Sequence, residues 1–296
     1  MRTFQQISAL RAYLRGIREE KRTVGFVPTM GALHAGHLSL MQRAKADCDI
    51  AVASIFVNPT QFAPTEDLSS YPRDVQHDLQ MAANIGVEAL FLPEAEEIYP
   101  QGFQTWIEVS EITTLLEGER RPTHFRGVAT VVAKLLGIVQ PNTAYFGQKD
   151  YQQFLVIERM VRDLNLPVTV QMIPTVRESD GLAMSSRNAY LTSEERASAT
   201  VLYRALSLAS ERVQEGEQNP AQIYSAITQL VQNEPYATLD YAVFADPDTL
   251  QPVNTLAERV TLFALAVRIG KTRLIDNVLL VPEGITPPRT RITKPL

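Results

Sequence analysis

The chain has almost no cysteine. Cys48 stands alone, so no internal disulfide can form and no thiolate cluster can hold zinc. It is expected as a small buried or half-buried residue. Long apolar runs are missing too: none approaches the length that spans a membrane, and the opening residues M-R-T-F-Q-Q carry no apolar signal core. A cytoplasmic protein is therefore expected. Nor is there a block of like charge. With 28 basic and 33 acidic residues the net charge is -5, which argues against a large nucleic-acid footprint but leaves room for a local basic pocket that takes a small anion. No internal repeat is present.

What remains is an ordinary globular composition, 45% hydrophobic and 21% charged. At 296 residues the chain exceeds the size at which one compact core is usual, so one large or two unequal domains are expected.

The stretch that organises the rest is V-G-F-V-P-T-M-G-A-L-H-A-G-H, residues 24–37. The apolar run Val24 to Val27 reads as a strand closed by Pro28, which has no backbone N–H. Gly31 and Gly36 let the backbone turn tightly and approach a ligand. His34 and His37 flank Gly36, and Leu38 with Met41 restart an apolar pattern at helical spacing. The second histidine thus sits at a helix N-terminus, where unpaired N–H groups and the dipole favour a phosphate. The bland alternative is a strand–turn–helix with incidental histidines, and the turn alone does not decide.

Along the chain, Phe4, Ile7, Leu10, Leu14 and Ile17 read as an amphipathic helix over residues 3–20. Strands are expected at Ile50 to Val57, Ala89 to Leu92, Trp106 to Val109, Ala144 to Phe146 and Val168 to Ile173. Helices fall between them, one opened by H-F-R-G at His124 to Gly127. Strands alternating with helices indicate an α/β fold with a mainly parallel sheet, in which ligands bind beyond the carboxyl ends of the strands. After Pro174 the pattern changes. Val176 to Arg187 reads as irregular and polar, Thr192 with Glu195 as a capping box for a helix bearing Leu202 to Val213, and Asn219-Pro220 as a further helix start. Strands follow at Leu239 to Phe244, Val260 to Val267 and Leu274 to Leu280. The expected organisation is a Rossmann-like parallel-sheet N-terminal domain, 1–175, a smaller α+β C-terminal domain, 176–282, and a Pro-rich, mobile tail, 283–296.

Four loop segments carry the chemistry: the first turn, N-P-T-Q-F at 58–62, G-Q-K-D at 147–150 and M-S-S-R at 184–187. In this order, with H-F-R-G-V, they resemble the pantothenate synthetase (pantoate–β-alanine ligase) family as far as about Asn277. That family lies within the nucleotidyltransferase superfamily, whose H-x-G-H and K-M-S-K-S-like elements embrace ATP. The resemblance implies attack of the pantoate carboxylate on the α-phosphorus of ATP, giving pantoyl adenylate and pyrophosphate, then attack of the β-alanine amine with release of AMP. No covalent enzyme intermediate arises, so the work is positioning and electrostatic stabilisation.

Carried over residue by residue, the catalytic set is His37, His34 and Lys149, with His37 the proton donor, a role that suits a side chain titrating near neutrality. The ATP-binding set is Met30, Gly31, Ala32, Leu33, His34, Ala35, Gly36 and His37 from the first turn. Gly147, Gln148, Lys149 and Asp150 join it, the last toward the ribose hydroxyls, with Val176, Met184, Ser185, Ser186 and Arg187 from the second domain acting as a lid. Val176 would pack on adenine or meet it through its backbone. Gln61 and Gln153 would hold pantoate, Gln61 also β-alanine; neutral amides leave the carboxylate nucleophilic where a bidentate arginine would suppress it. Asn58 would shape the same pocket, and Arg126 and Arg73 are left outside it. Mg²⁺ is expected on the ATP phosphates with no protein ligand named, and a homodimer is implied. Competing readings are an adenylyl transferase acting on a phosphate ester, an aminoacyl-tRNA synthetase relative, and a nucleotide-binding regulator without turnover.

Overall fold

The computed structural model describes residues 1–64, 66–286 and 291–295. By its contacts the chain divides into two compact units. The first comprises Met1–Gly147, Gln152–Pro174 and Thr290–Leu296; the second comprises Gln148–Tyr151 and Thr175–Arg289.

In the first unit, strands and helices alternate as β1 (Arg2–Phe4), α1 (Ile7–Glu19), β2 (Val24–Thr29), α2 (Ala35–Asp47), β3 (Ile50–Ile55), α3 (Val75–Ile85) and β4 (Ala89–Phe91). Two short helices, α4 (Ala95–Ile98) and α5 (Glu117–Arg120), precede α6 (His124–Val139), β5 (Thr143–Gly147), α7 (Tyr151–Asp163) and β6 (Thr169–Ile173). The sheet order β1-β4-β3-β2-β5-β6 is parallel throughout, and the chain steps outward from β2 first to one side and then, at β5, to the other. That reversal is a topological switch point, where an open α/β sheet leaves a crevice at its carboxyl edge. The strands there are almost wholly buried: Val24 to Val27 and Ile50 to Ile55 lie in the interior, as strands covered on both faces should. A core of Val27, Leu40, Met41, Ala51, Leu90 and Tyr145 joins sheet to helices. Cys48 is half-buried beside the Tyr145 hydroxyl, and burial pushes both thiol and phenol above their usual ranges.

Three details differ from the sequence expectation. Residues 2–4 pair with β4 instead of opening the first helix, which starts only at Ile7. β2 runs through Pro28 to Thr29, paired with β3 to the end; its registered pairs with β5 stop at Phe26, so the missing Pro28 N–H costs no bond on that side. Trp106 to Val109 is not a strand. The Ile107 N–H goes to Thr130 Oγ1 of α6 at 3.0 Å, and Trp106 packs edge-on to Phe103 beneath the Arg126 guanidinium.

The second unit holds α8 (Ser193–Ser198), α9 (Val201–Gln214), α10 (Pro220–Gln232) and an antiparallel sheet of β7 (Ala237–Ala245), β8 (Thr261–Ile269) and β9 (Thr272–Leu280), with β8 central. Thr192 and Glu195 do form a capping box, but they cap the six-residue α8; the chain breaks at Ala199 and Thr200 before α9. Residues 176–184, expected to be irregular, form a small hairpin with an Arg177–Ala183 bridge and a Met184 N–H donated to the Val176 carbonyl.

The tail also departs from expectation. Ile292–Thr293, as β10, adds an antiparallel edge strand to β6. Glu158 of α7 holds it there, taking the Arg291 guanidinium and the Thr293 hydroxyl. An unpaired strand edge and a half-buried carboxylate acceptor give a Pro-rich segment without any amphipathic period a place in the sheet. Among the described residues no helix is long and apolar enough to cross a membrane.

Candidate active site

The sequence-predicted residues fall into two sets, one in each unit. In the first, His34 is the N-cap of α2, in extended conformation, and His37 is its third residue. The two side chains cap reciprocally. His34 Nδ1 accepts from the Gly36 N–H at 3.1 Å, and His37 Nδ1 accepts from the His34 N–H at 3.4 Å. The rings lie 4.1 Å apart, tilted by 38°. Since both Nδ1 atoms accept, each ring carries its proton on Nε2, which makes two N–H donors of fixed tautomer.

The bare amides expected beside them are already engaged. Gly31 N–H goes to Thr29 Oγ1, Ala32 and Leu33 N–H to the Asp78 carboxylate at 3.0 and 2.6 Å, and His37 and Leu38 N–H to the His34 carbonyl. These N–H groups are therefore committed within the turn itself. Asp78, on α3, is 1% exposed; burial lifts its carboxyl above the usual range, and the two amides oppose that rise. It holds a turn of unusual backbone, with Gly31 at φ +87 and Ala32 at φ +48. A Cβ on Gly31 would meet Ile55 Cγ2 at 2.8 Å and Asp78 Oδ2 at 2.9 Å, so only glycine fits.

Beyond β3, the turn Pro59–Gln61 is capped by Asn58. Asn58 Oδ1 accepts from the Tyr99 hydroxyl at 2.9 Å and from Thr60, so its Nδ2 faces acceptors: the Gly127 carbonyl at 3.2 Å and Gln61 Oε1 at 3.1 Å. That assigns the Gln61 amide. Its oxygen is spent inward, and its Nε2 donates, reaching Met30 Sδ at 3.0 Å. Met30, from the first turn, and Gln61 thus meet.

The start of α6 pins the Gln61 backbone. Its carbonyl accepts from His124 Nδ1 at 2.9 Å and from Arg121, which is itself ion-paired with Glu66 at 2.5 Å. Gly127 has no Cβ because one would strike the Thr60 carbonyl oxygen at 2.4 Å. Burial, with the Arg121 charge beside it, lowers His124 to about 4. On α7, Gln152 is wholly occupied with residues 112–117. Gln153, half-buried next to it, makes no side-chain hydrogen bond among the described residues.

In the second unit, Gly147 having ended β5, Gln148–Asp150 form a single 3-10 turn, and Lys149 Nζ lies 3.7 Å from Asp150 Oδ1. The hairpin of residues 176–184 leads into Ser185, whose Oγ caps the turn Ser186–Tyr190 by accepting from the Arg187 N–H at 3.3 Å. Lys149, Ser185, Asn188 and Asp276 line one small cavity. The hairpin hangs from Asp276 through a bidentate pair with Arg177, at 2.6 and 3.0 Å. Arg126 lies over Trp106 and Arg73 donates to the Leu68 carbonyl.

Residues 2–279 match the Pantoate-beta-alanine ligase family model. The chain belongs to the pantoate–β-alanine ligase family. A pantothenate synthetase of Moorella thermoacetica is 53% identical over 95% of this chain and 99% of its own, and one of Herpetosiphon aurantiacus 54% identical over 90% and 97%. Among solved structures, pantothenate synthetase from Thermus thermophilus matches with a TM-score of 0.89 at 48% identity, covering 94% of this chain and 99% of that one. The pantoate–β-alanine ligase of Francisella tularensis, complexed with beta-gamma ATP and β-alanine, matches with a TM-score of 0.79 at 38% identity over 94% and 97%. Family membership leaves the supporting residues to be read from the structure. Sequence reasoning passed over Asp78, Tyr99, Arg121, His124, Asp276 and Asn277. Three had a visible signal: Asp78 is a charge on the same helical stripe as Ala82 and Ile85, and Asp276 with Asn277 is a polar pair inside an apolar strand.

Proposed function

We propose that this chain joins pantoate to β-alanine by way of pantoyl adenylate, as its family membership indicates. The pantoate carboxylate oxygen bonds to the α-phosphorus of ATP while the bridge to the β-phosphorus breaks, releasing pyrophosphate. The β-alanine nitrogen then bonds to the acyl carbon, the acyl–phosphate oxygen bond breaks, AMP leaves, and the amine gives up its proton. The observation that carries this reading is the reciprocal capping of His34 and His37, which gives two Nε2–H donors at the switch point of the sheet. Such donors suit charge building on a departing pyrophosphate, with His37 supplying the proton.

The remaining assignments belong to the same proposal. Gln61, its amide fixed as a donor, and Gln153 hold the pantoate oxygens, and Gln61 also meets β-alanine. Lys149 lies along the phosphates as a compact cation, Ser185, Ser186 and Arg187 close on them, Asp150 takes the ribose hydroxyls and Val176 the adenine. Met30, Gly31, Ala32, Leu33, Ala35 and Gly36 shape the nucleotide turn, with Gly147, Gln148 and Met184 leading the other segments. The second unit serves as a lid that keeps water from the acyl adenylate.

Mg²⁺ keeps several waters and prefers oxygen ligands. Among the described residues no three His, Cys, Asp or Glu side chains gather as a cage. The donors here are imidazole, ammonium and hydroxyl groups, which fit an ion carried on the nucleotide; bound there, Mg²⁺ would offset phosphate charge. A homodimer rests on the family resemblance alone, and a cytoplasmic location on the sequence expectation.

Incubating the protein with ATP and Mg²⁺ tests the overall reaction. AMP and pantothenate should accumulate only when both pantoate and β-alanine are present; AMP release with pantoate left out would refute the substrate assignment.

A further inference from the structure

Lys149 lies in sequence between β5 and α7 of the first unit, yet its turn is held by the second. Asn277, on β9, donates from Nδ2 to two backbone carbonyls of that turn, Gln148 at 3.0 Å and Lys149 at 2.8 Å. The residue is 4% exposed, and its Oδ1 has no partner among the described residues. A buried amide that satisfies two carbonyls at the expense of its own oxygen is selected for its NH₂ end: an aspartate of the same shape would set charge against both carbonyls, and an apolar side chain would orphan them. The far end of the turn is tied as well, by the Tyr151 hydroxyl to the Pro247 carbonyl at 3.1 Å. The residue before Asn277 is Asp276, 2% exposed, which anchors the hairpin leading to Ser185–Arg187. Neighbouring positions of one strand therefore hold the lysine turn and the serine–arginine loop.

Resting on the assignment of Lys149 to the ATP phosphates, we propose that Asn277 is a positioning residue for Lys149, holding it in register with the Ser185–Arg187 loop so that both reach the triphosphate as one body. The ammonium then has a fixed place relative to the loop hydroxyls. Placement on that scale matters, since a shift of about 1 Å at a reacting centre can cost about a hundredfold in rate.

The test is steady-state kinetics on the full chain with Asn277→Asp, Asn277→Ala, Lys149→Ala and the double variant Lys149→Ala/Asn277→Ala, folding being checked by circular dichroism and Tm. Asn277→Ala should lower kcat by about tenfold or more while KM for pantoate and for β-alanine stays within about twofold, and Asn277→Asp should lower it further. The double variant should be no slower than Lys149→Ala, because both changes act through one group. A wild-type kcat in folded Asn277→Ala, even with a lowered Tm, overturns the positioning role, and so do losses that multiply in the double variant. Should Asn277→Asp fail to fold, the alanine series carries the comparison unaided. An unchanged rate in Lys149→Ala would instead remove the phosphate assignment on which the role depends.

Discussion

His37 and His124 carry the same ring, set to different uses by what surrounds each. At His37 a backbone N–H points at Nδ1 and leaves the proton on Nε2, where it can be donated. At His124 the Gln61 carbonyl, which can only accept, faces Nδ1, and the Arg121 guanidinium, which can only donate, faces Nε2. That ring must be neutral. The charges around it are Arg121, Glu66 and Glu117, and burial dominates in lowering it to about 4. The unfolded chain, near 6.5, binds the proton first, so between pH 6.5 and about 4 stability rises with pH and is lost on acidification. The loss should reach about 3 kcal/mol at the acid end of that window. Urea unfolding at both pH values, with His124→Asn beside the parent, measures it. Asparagine keeps a donor near Nδ1 but cannot titrate, so the parent should lose more on acidification; equal losses would contradict the neutral buried ring. The place of the H-x-G-H histidines at a helix start was legible in sequence, because the turn and the restarted apolar pattern are both local. His124 stood in a recognised motif, but its partner is a backbone carbonyl 63 positions away, which no sequence pattern reports.

At the scale of elements, α3 has a task that its sequence half reveals. Its stripe of Asp78, Ala82 and Ile85 reads as a buried face, and one member is an acid. That acid holds two amides of the turn at residues 30–33, from 45 and 46 residues away. Asp78→Ala leaves both amides without acceptors and should cost about 1–3 kcal/mol of stability. With Ala32 no longer held at positive φ, KM for ATP should rise several-fold while KM for β-alanine stays put. Thermal denaturation and initial-rate kinetics check the pair of effects, and an unchanged KM for ATP would show the turn to be self-supporting. Periodicity placed most helices and strands within a few residues, because the buried faces follow it. It failed where a tertiary partner decided. Residues 2–4 became a strand because β4 offered an edge, Trp106 to Val109 stayed out of the sheet because Thr130 of α6 took the Ile107 N–H, and α8 separated from α9 despite its intact capping box.

For the whole molecule, the change of character after Pro174 is visible in the sequence, but the assignment of segments to units is not. Gln148–Tyr151 belongs by contact to the second unit, and Ile292–Thr293 returns to the sheet of the first, beyond residue 279 where the family match ends. Both depend on side chains far away in sequence, Asn277 and Glu158, meeting backbone or polar groups at a place only the folded chain defines. The four loop motifs, by contrast, were readable as a set, since each is local in sequence and together, in that order, they resemble the family that the chain matches. Adenylation before amide formation is the centre of that reading. The measurement that meets it most directly is isotope exchange between labelled pyrophosphate and ATP with β-alanine left out. Label should enter ATP when pantoate is supplied and stay out when it is withheld. Exchange without pantoate, or exchange that begins only on adding β-alanine, would contradict the adenylate route.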